Sequence, residues 1–298
     1  MRTCLCVLLG MAWIGGADLA AQRELQFYAS FTDAAGEPAV DVSTGAFRVL
    51  EDDVEGRVVR FEPIDWPIRV SILIDNGYGM QQHLLQIRNG VSGLLEALPE
   101  GIEASLVTMA PQPRWVVRPT ADRDALLEGV GLIVPDQGGA KFVEALGEAA
   151  ERLARDEGEV FPVVVVLGST ATGNAYVSDQ ALERMVLRFA EGAATVHVVM
   201  FTAPAPLGTS ISGTFQTEVG STLSRITGGR YEALAAASRI ATLLPEIGAQ
   251  VARSHRRQSR QYRVTFERPD GRDGPPGRIA MEAGDDLRVR LSRDGHLP

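Results

Sequence analysis

The sequence predicts an α/β fold, a doubly wound, mostly parallel sheet, accompanied by a small β module that both ends of the chain build together. Three observations carry this expectation. From Ile68 to Ala252, apolar strands alternate with amphipathic helices. One of those strands, Val163–Leu167, is an unbroken apolar run, the pattern of a parallel strand covered by helices on both faces. Before and after that stretch the texture is short alternating strands with no helical period.

The chain opens with an export signal. Met1-Arg2-Thr3 carries one positive charge, Cys4 to Gly16 is apolar, and Asp18-Leu19-Ala20-Ala21-Gln22 closes the segment. Small Ala21 before Gln22 places a cleavage site there, so residues 1–21 read as a signal peptide, too short for a comfortable permanent span; a retained anchor is the alternative. The product would be periplasmic or secreted, with no stable membrane span after cleavage. Cys4 and Cys6 are the only cysteines and both lie in the leader. Thiol nucleophiles, zinc-thiolate sites and disulfides are thereby excluded from the mature chain.

Residues 22–66 supply strands at Leu25–Phe31, Phe47–Leu50 and Val58–Phe61, with a turn at Asp33–Gly36. Residues 67–252 form the α/β domain. Its strands are Ile68–Ile74, Ile102–Met109, Val163–Leu167 and Thr195–Phe201. Its helices are Met80–Leu98, Ala121–Val130, Phe142–Arg155, Asp179–Glu191, Phe215–Ile226 and Ala235–Ala252. Residues 253–298 begin with the basic run Arg253–Arg260, read as a solvated helix end or linker, since cations suit a helix C-terminus. A contact with an acidic partner or lipid headgroups is its alternative. Strands follow at Gln261–Phe266, Arg278–Glu282 and Leu287–Leu291. Neither end has enough strands to bury two faces, and a joint module solves both problems.

Several function classes lose their support. A net charge of −9 with a pI near 5.1 argues against nucleic acid, which requires a clustered basic surface. No dinucleotide-binding glycine cluster, phosphate loop or Gly-x-Ser-x-Gly elbow is present. His83, His197, His255 and His296 are scattered without ligand spacing, and His197 reads as a strand residue.

Ligands of open α/β sheets bind beyond the carboxyl ends of the strands. There the first strand runs into Asp75-Asn76-Gly77-Tyr78-Gly79-Met80, which resembles the Asp-x-Ser-x-Ser-Met metal-site loop of von Willebrand factor type A domains, with glycine at both serine positions. Gly138-Gly139-Ala140 is similar to that family's Gly-Gly-Thr loop, Gly168-Ser169-Thr170 to its Thr-Asp-Gly turn, and Thr227-Gly228-Gly229 to its Thr-Gly-Gly segment. The β-rich flanks resemble the family's bacterial secreted subfamily.

The resemblance implies a site for Mg²⁺ or another hard cation, which needs several oxygens at fixed positions. Only Asp75 is retained, with Ser169 a weaker neutral oxygen; Gly77, Gly79 and Ala140 supply no side-chain oxygen. Metal binding is therefore expected to be weak or absent, leaving no cofactor, or at most weak Mg²⁺ through Asp75 and Ser169. Asn76, Thr170, Thr172 and Asp136 could improvise a cation site. Asp75 has a structural alternative as an acceptor for N–H groups at the helix start.

The leading expectation is a non-catalytic protein-interaction module using the loops after Ile74, Pro135 and Leu167, with Asp75, Asn76, Gly77, Tyr78, Gly79, Gly139, Ala140, Ser169 and Thr170 as contact candidates. Its partner is another protein. Three alternatives stand: a structural subunit binding through its β module, a domain with weak cation-dependent binding, and an enzyme or small-molecule receptor with an unrecognised site.

Overall fold

The computed structural model describes residues 4–7, 23–39, 41–155, 159–171, 178–202, 210–271, 274–293 and 295. Thr172, His296 and the expected cleavage position at Ala21 lie outside the described residues. The chain divides into two compact units, Pro67–Arg253 and a second made of Met1–Trp66 with Ser254–Pro298.

In chain order the strands are β1 (Cys4–Val7), β2 (Glu24–Thr32), β3 (Phe47–Glu51), β4 (Val54–Ile64), β5 (Ile68–Ile74), β6 (Glu103–Thr108), β7 (Arg114–Thr120), β8 (Phe161–Ser169), β9 (Thr195–Phe201), β10 (Tyr231–Leu234), β11 (Gln261–Glu267), β12 (Ile279–Ala283) and β13 (Arg288–Ser292). The helices are α1 (Leu84–Ala97), α2 (Arg123–Gly131), α3 (Phe142–Arg155), α4 (Asp179–Glu191), α5 (Ser210–Ile226) and α6 (Ile240–Gln258).

The α/β unit holds a six-stranded sheet in the order β10-β9-β8-β5-β6-β7. Every neighbouring pair is parallel except β6 with β7. The apolar run in β8 is buried throughout because both of its faces are covered. Val163, Val165 and Leu167 pack with Ile87, Val91, Leu94, Leu244 and Ile247 from α1 and α6. Val164 and Val166 face Phe142, Leu146, Met185, Phe189 and Leu223 from α3, α4 and α5. Each such side chain stabilises the fold by roughly 1.5–3 kcal/mol relative to exposure. Local signals set the helix starts: Asp122 accepts the Ala125 N–H at 3.0 Å ahead of α2, and Ser178 accepts the Ala181 N–H at 3.3 Å ahead of α4.

Several expectations need correction, among them the start of α5, at Ser210 and not Phe215. α1 starts at Leu84, not Met80, because the Met80 and His83 amides are spent on tight turns, bonding the Gly77 and Met80 carbonyls. β7 was not foreseen: it is an antiparallel edge strand with no fully buried residue and a proline at 119, so its pattern is weak. α6 starts at Ile240 and continues to Gln258, so most of the basic run is helical.

The second unit is a seven-stranded antiparallel sheet, β1-β12-β3-β4-β11-β2-β13. β11, from the C-terminal segment, lies between β2 and β4, with Val264 opposite Phe27 on one side and Phe61 on the other. Its core joins Leu25, Phe27, Phe31, Phe47 and Val49 to Val264, Phe266, Met281, Val289 and Leu291. Phe31 meets Phe61 and Tyr262 edge-on, with ring centroids 6.2 and 5.8 Å apart. A buried ion pair ties the segments together: the Arg268 guanidinium forks onto Glu51, Nε to Oε2 at 2.9 Å and Nη2 to Oε1 at 2.6 Å, and the Gly277 N–H donates to Oε1 at 2.9 Å. β1, inside the expected leader, pairs with β12, Cys4 opposite Ala283.

Candidate functional site

At the carboxyl end of the parallel strands, Asp75 leaves β5 with its carboxylate turned inward and only 1% exposed. Oδ1 accepts the Gly77 N–H at 2.8 Å and Oδ2 accepts the Ser169 hydroxyl, from the end of β8, at 2.6 Å. Burial dominates and pushes the Asp75 carboxyl up to about 6, with the Ser169 and Gly77 hydrogen bonds pulling the other way. Asn76 is also buried: its Oδ1 accepts the Ala110 N–H at 3.0 Å and its Nδ2 donates to the Val134 carbonyl at 2.9 Å. The Asp136 N–H returns to the Asn76 carbonyl at 2.8 Å, Gln81 Nε2 donates to the Asp136 carbonyl at 2.9 Å, and the Tyr78 N–H donates to the Gly138 carbonyl at 3.1 Å. Two loops are thus laced together through their backbones.

The two glycines have a steric cause. A Cβ at Gly77 would stand 2.8 Å from the Gly138 carbonyl oxygen and 2.9 Å from the Ala140 nitrogen. One at Gly79 would stand 2.4 Å from the Ala171 Cβ and 3.2 Å from the Ser169 hydroxyl. The space a serine would need at position 79 is filled by Ala171. The two side-chain oxygens that remain, on Asp75 and Ser169, are bonded to each other. This donor set does not fit a hard cation, which wants about six oxygens in an open shell. Among the described residues no group of three or more His, Asp or Glu is placed to hold a metal.

Of the sequence-derived candidates, Asp75, Asn76, Gly77, Ala140 and Ser169 are buried, Gly79, Gly139 and Thr170 are partly exposed, and Tyr78 alone is exposed, at 44%. The surface the loops do offer is apolar. Leu85 on α1, Leu132 and Val134 after α2, and Tyr78 are among the largest exposed hydrophobic side chains described. The Arg88 guanidinium fixes the 132–134 segment by donating to the Ile133 carbonyl at 2.7 Å. Leu85, Leu132 and Val134 escaped the sequence reading because the run Leu132-Ile133-Val134 looks like core, and only Ile133 is buried.

His197, in β9, is 3% exposed, and its Nδ1 accepts the Arg230 N–H at 3.1 Å. Burial first, then the Arg230 charge, depress its imidazole to about 4, so it is neutral at physiological pH and serves as an acceptor within the sheet. Among the described residues no helix is long and apolar enough to cross a membrane.

Residues 70–171, the stretch that contains this site, match the von Willebrand factor type A domain. No curated protein matches the chain. Among solved structures, the von Willebrand factor type A protein from Catenulispora acidiphila is similar over 92% of this chain and 71% of its own, at 12% identity and a TM-score of 0.50. The pilus adhesin SpaC from Lactobacillus rhamnosus GG is similar over 83% of this chain and 43% of its own, at 10% identity and a TM-score of 0.50. BatB from Bacteroides thetaiotaomicron is similar over 62% of this chain and 99% of its own, at 16% identity and a TM-score of 0.47. At these identities the likeness to the first two speaks for the fold alone.

Proposed function

We propose, from the premise that the α/β unit is a von Willebrand factor type A domain, that the protein is an exported, non-catalytic module that binds another protein without a metal ion. The observation that carries this reading is the exchange visible at the carboxyl end of the sheet. The cation circle is closed by Ala171 and by the Asp75–Ser169 bond, while Tyr78, Leu85, Leu132 and Val134 stand exposed on laced loops and helix ends beside it. A metal-dependent site presents an open coordination position; this one presents apolar side chains on a fixed backbone, the usual composition of an interface centre. The pilus adhesin among the structural relatives supports protein binding as the type of function.

Site-specific photo-crosslinking tests it. A photoreactive amino acid in place of Tyr78 is expected to give a discrete protein adduct in producing cells, unaffected by chelator. The same group in place of Leu187, an exposed residue of α4, is expected to give none. Adducts that vanish with chelator would restore a cation-dependent mechanism, and adducts at 187 alone would move the binding surface elsewhere.

A further inference from the structure

We infer that the C-terminal end of α6 forms a cationic docking surface for an acidic polypeptide segment, separate from the loops around Tyr78. Arg256 and Arg257 occupy the last turn of α6 and Arg260 follows two residues after its end; all three are exposed. Arg253 lies one turn earlier on the same helix, and Arg253–Arg260 contains no acidic residue.

The helix end is held in place. His255 Nε2 bonds the Trp66 carbonyl at 2.9 Å, and Gln261 Nε2 donates to the Gln258 carbonyl at 2.7 Å.

Many arginines outside this helix end are matched within the chain. Arg48 meets Glu282 at 2.7 Å, Arg57 meets Glu267 at 2.6 Å, Arg152 meets Glu148 at 2.7 Å and Arg239 meets Glu246 at 2.9 Å. Among the described residues, Arg256, Arg257 and Arg260 have no such carboxylate. Like charges four residues apart on a helix, as Arg253 with Arg257, repel each other, and the helix dipole offsets only part of that cost. In a chain with a net charge of −9, four arginines in eight residues with no acidic residue among them are a local reversal of sign. Guanidinium forks match carboxylates in geometry as well as charge.

A lipid surface is the poorer fit. Helices that bind membranes insert large apolar side chains, and α6 exposes none: its outward residues include Thr242 and Glu246.

The test uses the purified full chain with a labelled oligoglutamate peptide and, in parallel, vesicles of pure phosphatidylcholine or with added phosphatidylglycerol. The peptide is expected to bind with an affinity that falls as salt rises. Arg256→Glu with Arg257→Glu is expected to weaken it at least about tenfold. Arg256→Gln with Arg257→Gln, which leaves the helix without repulsive charge, should weaken it less, with the thermal midpoint preserved. Arg114→Glu with Arg118→Glu, at exposed arginines of β7, serves as the control and is expected to change binding less than about twofold. Absence of peptide binding at low salt, or an equal loss in the β7 control, overturns the proposal. Retention on phosphatidylglycerol vesicles that the peptide does not compete away overturns it in favour of a membrane.

Discussion

Two buried carboxylates, one in each unit, show how the same burial leads to opposite electrostatics. Glu51 is fully buried and meets a guanidinium through both Nε and Nη2, and a backbone N–H also donates to it. Asp75 is as deeply buried, but its partners are a hydroxyl and a backbone N–H, dipoles without a full charge. The first carboxylate is matched, and removing its cation leaves a stranded charge. The second is unmatched, and its proton uptake relieves the fold. Removing the cation from the first therefore costs stability, whereas removing the charge from the second supplies it.

The largest effect is expected at the matched pair. Arg268→Met leaves Glu51 buried without a cation and should cost about 3–5 kcal/mol in urea unfolding. Adding Glu51→Leu should recover most of that loss. A single-variant loss under about 1 kcal/mol would mean that the pair does not hold the β module together.

At the unmatched carboxyl, the folded value of about 6 lies above the ordinary 3.8. The stability this supplies is full below the unfolded value and is lost as pH rises through about 6. Asp75→Asn, neutral at every pH, should therefore be more stable than the parent at pH 8 by up to about 3 kcal/mol, with the advantage gone near pH 4. A variant less stable than the parent at pH 8 would instead point to a cation held by the carboxylate.

His197 works in the reverse sense within the same range. Its folded value of about 4 lies below the ordinary 6.5, so its contribution is present above 6.5 and is lost as pH falls toward 4. The two buried groups oppose each other, and the parent's stability should vary little with pH across that window on their account. Asp75→Asn should expose a loss of about 3 kcal/mol on acidification, and His197→Gln should expose a gain; parallel curves for all three proteins would refute the assignment.

The smallest effect concerns the closed circle. Gly79→Ser should cost about 1–3 kcal/mol through its clash with Ala171. Ala171→Gly should return part of that cost, and Mg²⁺ should not raise the melting temperature of the single variant.

The α/β order was legible because its strands are buried on both faces and its helices amphipathic; Val163–Leu167 could hardly be anything but a central strand. The joint β module was legible from incompleteness, since each end had strands without partners. β7 was not legible, as an edge strand needs no apolar period. At the site, the missing ligands could be read from Gly77, Gly79 and Ala140. That Ala171 fills the gap could not, because it depends on a contact between residues about ninety positions apart. Nor could the exposure of Leu132 and Val134, since hydrophobicity alone does not tell a core run from a docking surface.

The pairing of β11 between β2 and β4 also sets a timetable for biogenesis. Arg48 and Glu282, which meet at 2.7 Å, are separated by 234 positions. The strands that leave the ribosome first must therefore wait for nearly the whole chain before their partners exist. During that interval Leu25, Phe27, Phe31 and Phe47 lack the cover that Val264, Phe266, Met281, Val289 and Leu291 later provide, while the α/β unit between can complete its core. A stall late in synthesis would thus yield a finished α/β unit with a sticky N-terminal tail, the species that quality control would have to recognise.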